Sequence, residues 1–339
     1  MFDRKKVLIT GGTGSLGNAL TKRLLESNVE TIRIFSRDEL KQTQMKEKFH
    51  DERLRFLIGD IRDKDRLSRA LENIDVVIHA AALKHVPVAE YNPFEAVKTN
   101  VYGAQNVIDG CLDRGIELAL AVGTDKAVSP FNTYGTTKLL MEKLFISANH
   151  YKGDHKINFL GVRYGNVLGS RGSILPLFID QIKTKNKITI TDPKMTRFNI
   201  TMNQALDLIF RTLKNGDGGE IFVPKLKAYT VEDMKDVILD LLDSKADTEI
   251  IGVRPGEKYH EMLINKDELR NTYENNDDYI IFDKETQFHN APNESKFKKS
   301  NLETEYSSDK TKLLTKSEIK EILISEGLIK VTENSSSNK

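Results

Sequence analysis

A short apolar run, Lys6 to Thr10, opens directly into T-G-G-T-G-S-L-G and then into a helical pattern through Glu26. Gly11, Gly14 and Gly17 are spaced G-x-x-G-x-x-G. Glycines at a strand-to-helix turn let backbone N–H groups approach a pyrophosphate at the amino end of the helix. Such a repeat alone is weak, because surface turns collect glycine. Here a strand precedes it, a helix follows, and a second strand, Thr31 to Phe35, comes at βαβ distance. Dinucleotide binding is therefore expected, with Thr10, Gly11, Thr13, Gly14, Ser15, Leu16 and Gly17 forming the turn.

The end of the second strand bears on which dinucleotide. An acidic residue there would accept the 2′-hydroxyl of NAD and repel a 2′-phosphate. This chain has Ser36-Arg37, with Lys41 one helical turn on. A guanidinium and a hydroxyl suit a phosphate, so NADP is expected ahead of NAD, although Asp38 and Glu39 follow closely. A third strand, Leu54 to Ile58, ends in Gly59-Asp60-Ile61, where the aspartate either accepts from the adenine amino group or caps the helix starting near Asp63. A fourth, Asp75 to His79, ends in Ala80-Ala81-Ala82, whose small side chains let a cofactor lie against the backbone. His79 reads as a core histidine, and no metal site is expected. Lys84 and His85 lie on a loop over the cofactor site, as substrate contacts or as solvated charge. A long helix is expected from Pro93 to Asp113, with Asn100 making a structural hydrogen bond and Cys111 a buried thiol.

After a fifth strand, Leu118 to Val122, the stretch T-D-K-A-V-S-P-F-N-T-Y-G-T-T-K runs from Thr124 to Lys138. Tyr134 and Lys138 are four apart, on one face of a helix reaching about Tyr151. An ammonium beside a phenol favours the phenolate, so a lowered tyrosine pKa is expected. Such a tyrosine can take a proton from a sugar hydroxyl while the carbon beneath gives up hydride. Asp125 and Lys126 add two proton-transfer groups at the strand's carboxyl end.

Ile157 to Val162 is a sixth strand, completing an α/β, Rossmann-type doubly wound parallel sheet expected over residues 1–165. Beyond it the alternation fades into a smaller substrate-binding domain over 166–270, interleaved with the first through a returning strand near 220–223. Arg163, Arg171, Arg197 and Arg254 fall where an anion-binding shell is plausible in chemical terms. Residues 271–310 are polar, reading as a flexible arm across a neighbouring subunit or as disorder, before a helical pattern at Leu313 to Leu328. Lys+Arg 51 against Asp+Glu 50 gives no electrostatic case for nucleic acid or an anionic membrane. No apolar run approaches the ~20 residues of a membrane span, and Met1 to Lys6 leads straight into a strand. A cytoplasmic location is expected.

T-G-G-T-G-S-L-G, T-D-K-A-x-x-P-x-N-x-Y-G-x-x-K, R-Y-G-N-V-x-x-S-R-G-S and T-D-P-x-M-T-R-F together resemble extended short-chain dehydrogenase/reductases. More narrowly they look like 5-inverting UDP-N-acetylglucosamine 4,6-dehydratases of surface-glycan and capsule synthesis, over roughly residues 4 to 265. The membrane-anchored relatives carry an added amino-terminal segment that is not seen here. The resemblance implies that Tyr134 and Lys138 serve oxidation at C4, Thr124 donates to the C4 oxygen, Asp125 is the acid at O6 and Lys126 the base for H5. The corresponding retaining enzymes have Asp-Glu where this chain has Asp-Lys. It further implies a tightly bound, recycled NADP and substrate contacts from Lys84, Asn166, Arg171, Ser173, Thr191, Met195, Arg197, Arg254 and Glu257. A homo-oligomer, a hexamer or smaller, is implied as well, with residues 271–339 as a candidate latch between subunits. Two other classes share parts of this pattern. A UDP-sugar C4 epimerase needs Tyr134 and Lys138 but no acid and base at C5 and C6, and a non-catalytic NADP sensor needs only the glycine turn.

Overall fold

The computed structural model describes residues 1–283 and 295–329. Its backbone divides into two compact units that the chain visits in turn. The first begins with Met1–Tyr164. There β1 (Lys6–Thr10), α1 (Ser15–Leu25), β2 (Thr31–Ser36), α2 (Glu39–Phe49), β3 (Leu54–Ile58), α3 (Lys64–Ala70) and β4 (Val76–His79) alternate. They are followed by α4 (Val86–Tyr91), α5 (Pro93–Val97), α6 (Gly103–Arg114), β5 (Leu118–Val122), α7 (Thr133–Tyr151) and β6 (Asn158–Val162). The chain then builds α8 (Ile174–Lys185), β7 (Lys187–Ile190) and β8 (Thr196–Phe198) of the second unit. It returns to the first for α9 (Met202–Asn215) and β9 (Glu220–Pro224). The second unit continues with β10 (Ala228–Thr230), α10 (Val231–Leu241) and β11 (Asp247–Ile250). The first takes β12 (Met262–Ile264), β13 (Thr272–Glu274), β14 (Asp278–Phe282) and β15 (Lys298–Lys299), and α11 (Lys316–Ser325) ends the second.

The first unit is a ten-stranded sheet in the order β15-β13-β14-β9-β6-β5-β4-β1-β2-β3. From β3 to β9 all neighbours are parallel, as the alternation of strands and helices requires. β1 and β4 are nearly all-apolar and buried, the pattern of strands covered on both faces. Leu8, Val77, Ala119 and Phe159 of the sheet pack with Ile108, Met141 and Phe145 of its helices in one cluster. Each large apolar side chain withdrawn there stabilises by about 1.5–3 kcal/mol. The returning strand is β9, beside β6.

Three expectations change. The substrate region is not the continuous block 166–270: α9, β9 and β12 belong to the sheet unit, while α11 belongs to the other. The single helix over 93–113 is interrupted by a π-helical turn, Lys98–Tyr102, between α5 and α6. Buried Asn100 sits in that turn, accepting from the Leu83 N–H and donating to the Leu83 carbonyl and the Thr137 hydroxyl. The third concerns residues 271–310, expected as an arm. Their described part forms β13, β14 and β15, which extend the sheet antiparallel from β9. The polar letters are turn chemistry: Asn275 accepts through Oδ1 from the N–H groups of Asp277 and Asp278, closing the β13–β14 hairpin. Buried Asp278 is paired with Arg211 at 2.7 Å. The rest of the expected latch, 284–294 and 330–339, lies outside the described residues.

In the second unit β7 pairs parallel with β11 and β8 antiparallel with β10. α8, α10 and α11 close a separate core around Phe178, Ile188, Met234, Ile238 and Leu323. Thr315 and Glu318 form a capping box at the start of α11. Among the described residues no helix is long and apolar enough to cross a membrane.

Candidate active site

The glycine turn works as its spacing requires. Gly11 has φ +66°, and a Cβ there would lie 2.8 Å from the Ala81 Cα, so β1 and the end of β4 approach with no room for a side chain. Thr10 holds this junction from behind, accepting from the Ala81 N–H at 3.2 Å and bonding His79 Nδ1 at 2.8 Å. His79 is fully buried, and burial together with Lys138 lowers its pKa to about 3, so it is a neutral core residue as expected. At the carboxyl ends of β1 to β4 lies a cleft of about 440 Å³. Of the residues expected to hold the cofactor, Gly11, Thr13, Ser36, Arg37, Lys41, Asp60, Ile61, Ala81 and Ala82 line it. Thr10, Gly14, Ser15, Leu16, Gly17 and Ala80 belong to the turns around this cleft rather than to its lining, and Tyr134 and Lys138 are likewise outside the lining.

Phe35, Asp38, Gly59 and Thr99 also line the cleft. Thr99 could not be read from spacing because it comes from the π-helical turn. Asp38 caps α2, accepting from the Lys41 N–H at 3.0 Å, and its carboxylate also pairs with the Lys41 ammonium. Asp60 does not cap α3, which Asp63 does. It pairs with Arg62 at 2.7 Å and Arg37 at 3.6 Å. Burial works to raise its carboxyl, but these guanidiniums hold it below the ordinary aspartate range. A turn with Gly11 at positive φ, at the amino end of α1 whose Gly14 cap offers no side-chain acceptor, fits a dinucleotide pyrophosphate.

The catalytic candidates form a second group. β5 ends at Val122, and Asp125–Ala127 make one 3₁₀ turn. That turn packs on the first turn of α7: a Cβ at Gly135 would lie 2.2 Å from the Lys126 carbonyl oxygen. Asn132 caps α7 by accepting from the Gly135 N–H at 2.7 Å. Asp125 is buried, and its Oδ1 accepts from the Thr124 hydroxyl at 3.0 Å and the Lys126 ammonium at 3.1 Å. Tyr134 does not show the lowered pKa expected beside Lys138. Burial raises its phenol above the ordinary value, while Lys126 and a hydrogen bond with Thr124 oppose the rise. The 3₁₀ turn thus brings Lys126 to the phenol, which helical spacing alone could not show. Lys138 donates to the Val122 carbonyl at 2.7 Å, and burial brings its pKa down to about 8 against the opposing pull of Glu142.

Arg163 is not part of an anion shell. It is fully buried and turned toward Glu142 and Glu268. In the second unit, Arg197 donates to Glu257 Oε1 at 3.1 Å and to the Tyr259 carbonyl at 3.0 Å, and Thr191 donates to Glu257 Oε2 at 3.1 Å. Met195 Sδ lies 3.5 Å from Arg197, so four expected substrate contacts meet in one group. Ser173, at the start of α8, is buried, and its hydroxyl has no hydrogen-bond partner among the described residues. Arg171, Arg254, Asn166 and, in the first unit, Lys84 are exposed. Sequence reasoning missed Tyr164, whose buried phenol is raised by burial and by Tyr134, and whose carbonyl accepts from the Asp125 N–H at 3.0 Å. Among the described residues no group of three or more His, Cys, Asp or Glu side chains is placed to hold a metal ion.

A family model described as "polysaccharide biosynthesis protein" matches residues 7–283. A UDP-N-acetylglucosamine 4,6-dehydratase (inverting) of Campylobacter jejuni is 48% identical over 283 residues, 83% of this chain and 84% of the relative. A UDP-glucose 4-epimerase of Rickettsia massiliae is 40% identical over 333 residues, 96% of both chains. The X-ray structure of Pen from Bacillus thuringiensis superposes with a TM-score of 0.91 at 39% identity, over 97% of this chain and 100% of that one.

Proposed function

The chain belongs to the polysaccharide biosynthesis protein family, and we propose that it is a UDP-N-acetylglucosamine 4,6-dehydratase that inverts C5. The observation that carries this reading is the Asp125–Lys126 contact at 3.1 Å in the turn packed on α7. Elimination of water across C5 and C6 needs one group to take H5 and another to protonate O6. A proton passed from the Lys126 ammonium to the Asp125 carboxylate leaves an amine base and a carboxylic acid, the two forms required. An epimerase has no use for that pair.

NADP, when bound, would supply reversible hydride acceptance, and the glycine turn, Arg37 and the lining of the cleft would hold it. Tyr134 takes the proton from the C4 hydroxyl, with Lys126 and Thr124 relieving the cost of its buried phenolate. Thr124 donates to the C4 oxygen, Lys126 removes H5, and Asp125 protonates O6 as water leaves. Afterwards a proton returns to C5 from the opposite face. NADP rather than NAD is supported by Arg37, more than half exposed at the cleft. The first unit is read as holding the cofactor, and in the second the Thr191–Met195–Arg197–Glu257 group, Ser173, Asn166, Arg171 and Arg254 are read as contacts of the UDP-sugar. The product feeds surface-polysaccharide synthesis in the cytoplasm. The protein acts as a homo-oligomer: Tyr91, Phe94, Tyr102 and Phe131 expose broad aromatic surface on the first unit. A hexamer rests on the family resemblance.

Incubation with UDP-N-acetylglucosamine in D2O, followed by proton NMR, tests the reading. A new C6 methyl signal with deuterium at C5 is expected, with ring couplings of the L-arabino-hexulose. UDP-N-acetylgalactosamine without a methyl signal would instead establish an epimerase. Lys126→Ala is expected to retain cofactor and lose ~10²–10⁴ in turnover.

A further inference from the structure

Tyr134, Lys138 and Glu142 follow one another at four-residue spacing along α7, and all three are buried. Behind them lies the most completely enclosed guanidinium in the protein. Arg163, directly after β6, donates through Nε to Glu142 Oε2 at 3.1 Å and through Nη2 to Glu142 Oε1. It donates through Nη1 to the Leu263 carbonyl at 2.8 Å and to Glu268 Oε2 at 3.0 Å, and through Nη2 to Glu268 Oε1 at 2.9 Å. All five N–H donors of the guanidinium are used. Glu268 is fixed in turn by the Asn265 N–H at 2.9 Å. The carboxylate of Glu142 also reaches the strand that carries the catalytic turn: a Cβ on Gly123 would lie 3.2 Å from Glu142 Oε2.

Two carboxylates share one guanidinium, but they are not equivalent: Glu268 is partly exposed and lies near Lys143 of α7, so the enclosed negative charge is the Glu142 carboxylate. Four residues before Glu142 on the same helix is the Lys138 ammonium, whose hydrogen-bond partners are a carbonyl and a thioether sulfur, at 2.7 and 2.9 Å. We propose that the Glu142–Arg163–Glu268 cluster is the counter-charge that keeps the Lys138 ammonium charged in its dry site, which makes Glu142 a positioning residue for the reaction. This rests on the reading in which Tyr134 and Lys138 together serve oxidation at C4, the cation at the phenol itself being Lys126. The other titratable groups around Lys138 do not take that part. His79, from β4, is neutral. Tyr134, on the same helix, is a neutral phenol at rest, and Asp125 and Lys126 of the turn packed on α7 pair with each other. Burial lowers the Lys138 pKa, and Glu142 is the neighbour that opposes the fall. Arg163 fixes where that opposing charge sits, and Glu268 prevents Arg163 from cancelling it.

The pH profile of kcat/KM for wild type, Glu142→Gln, Glu142→Asp, Glu268→Gln and Lys138→Met tests the proposal. Removing a negative neighbour lowers the pKa of an ammonium, so the alkaline limb of Glu142→Gln is expected to move to lower pH, by on the order of one unit. Glu142→Asp, which retains the charge, is expected to restore the limb toward wild type. Glu268→Gln is expected to shift it the same way by less, and it covers the case in which Glu142→Gln does not fold, because Glu268 is partly exposed. An unmoved limb in the folded variants overturns the proposal when Lys138→Met is inactive. A Lys138→Met enzyme with wild-type turnover and limb overturns the reading of Lys138 itself, and the proposal with it.

Discussion

Two clusters of carboxylates and guanidiniums in the sheet unit have the same parts and opposite surroundings. Around Arg163 every donor is committed, and the guanidinium and the Glu142 carboxylate are buried. Around Asp60, Arg62 and Arg37 are one-third and more than half exposed, and the cluster opens on the cofactor cleft. A buried ion must be paired, because stripping its water costs several kcal/mol, so it holds its partners in one geometry. An exposed pair stabilises by only about 0–1 kcal/mol, because water and salt compete for both ions. The inner cluster therefore ties α7 to the residues after β6 and β12, while the outer one leaves charge available at the cleft.

Arg163→Ala should give the largest effect that can break this comparison. It would strand Glu142 and Glu268, and a loss of about 3–5 kcal/mol in urea unfolding is expected. A loss as small as an exposed pair's would mean that the cluster is not dry. Gly135→Ala tests the same depth by volume. Its methyl group would meet the Lys126 carbonyl, so about 1–3 kcal/mol of stability and much of the turnover should go together. At the cleft, Arg37→Ala should weaken NADP on the order of tenfold, about 1.4 kcal/mol, in direct titration and leave NAD nearly unchanged. Equal losses for both would remove the 2′-phosphate assignment. Arg62→Ala should cost less than about 1 kcal/mol and become undetectable at high salt.

A pH measurement sharpens the contrast further. The Lys138 pKa in the folded protein is about 8, below the ordinary lysine value of 10.5. Below pH 8 the folded chain bears the full cost of charging it. Between those values the unfolded chain binds more protons, so this group makes the protein more stable as pH rises. Activity should fall through the same window as the ammonium is lost. The stability slope should be absent in Lys138→Met, and a slope equal to wild type would mean that Lys138 is not desolvated.

Much of this was legible from local pattern. The strand–glycine–helix opening and the Tyr134–Lys138 spacing depend on residues within one or two turns of each other. Residues 271–283 were misread because Asn and Asp are as common in a hairpin turn as in a solvated arm, and only pairing with β9 separates the two. Arg163 was misread for a related reason. Its partners lie at 142 and 268, and an arginine awaiting phosphate looks the same in sequence as one already enclosed by carboxylates.

The sequence alone determined the nucleotide fold, the glycine turn and the placing of Tyr134 and Lys138 on one helix, because each rests on spacing along a strand or a helix. Tertiary structure decided their states. It set which cation faces the phenol of Tyr134, which arginine is spent on internal carboxylates and how far burial moves Lys138. Those outcomes depend on loss of water, and the exclusion of water is a property of the packed chain rather than of any stretch within it.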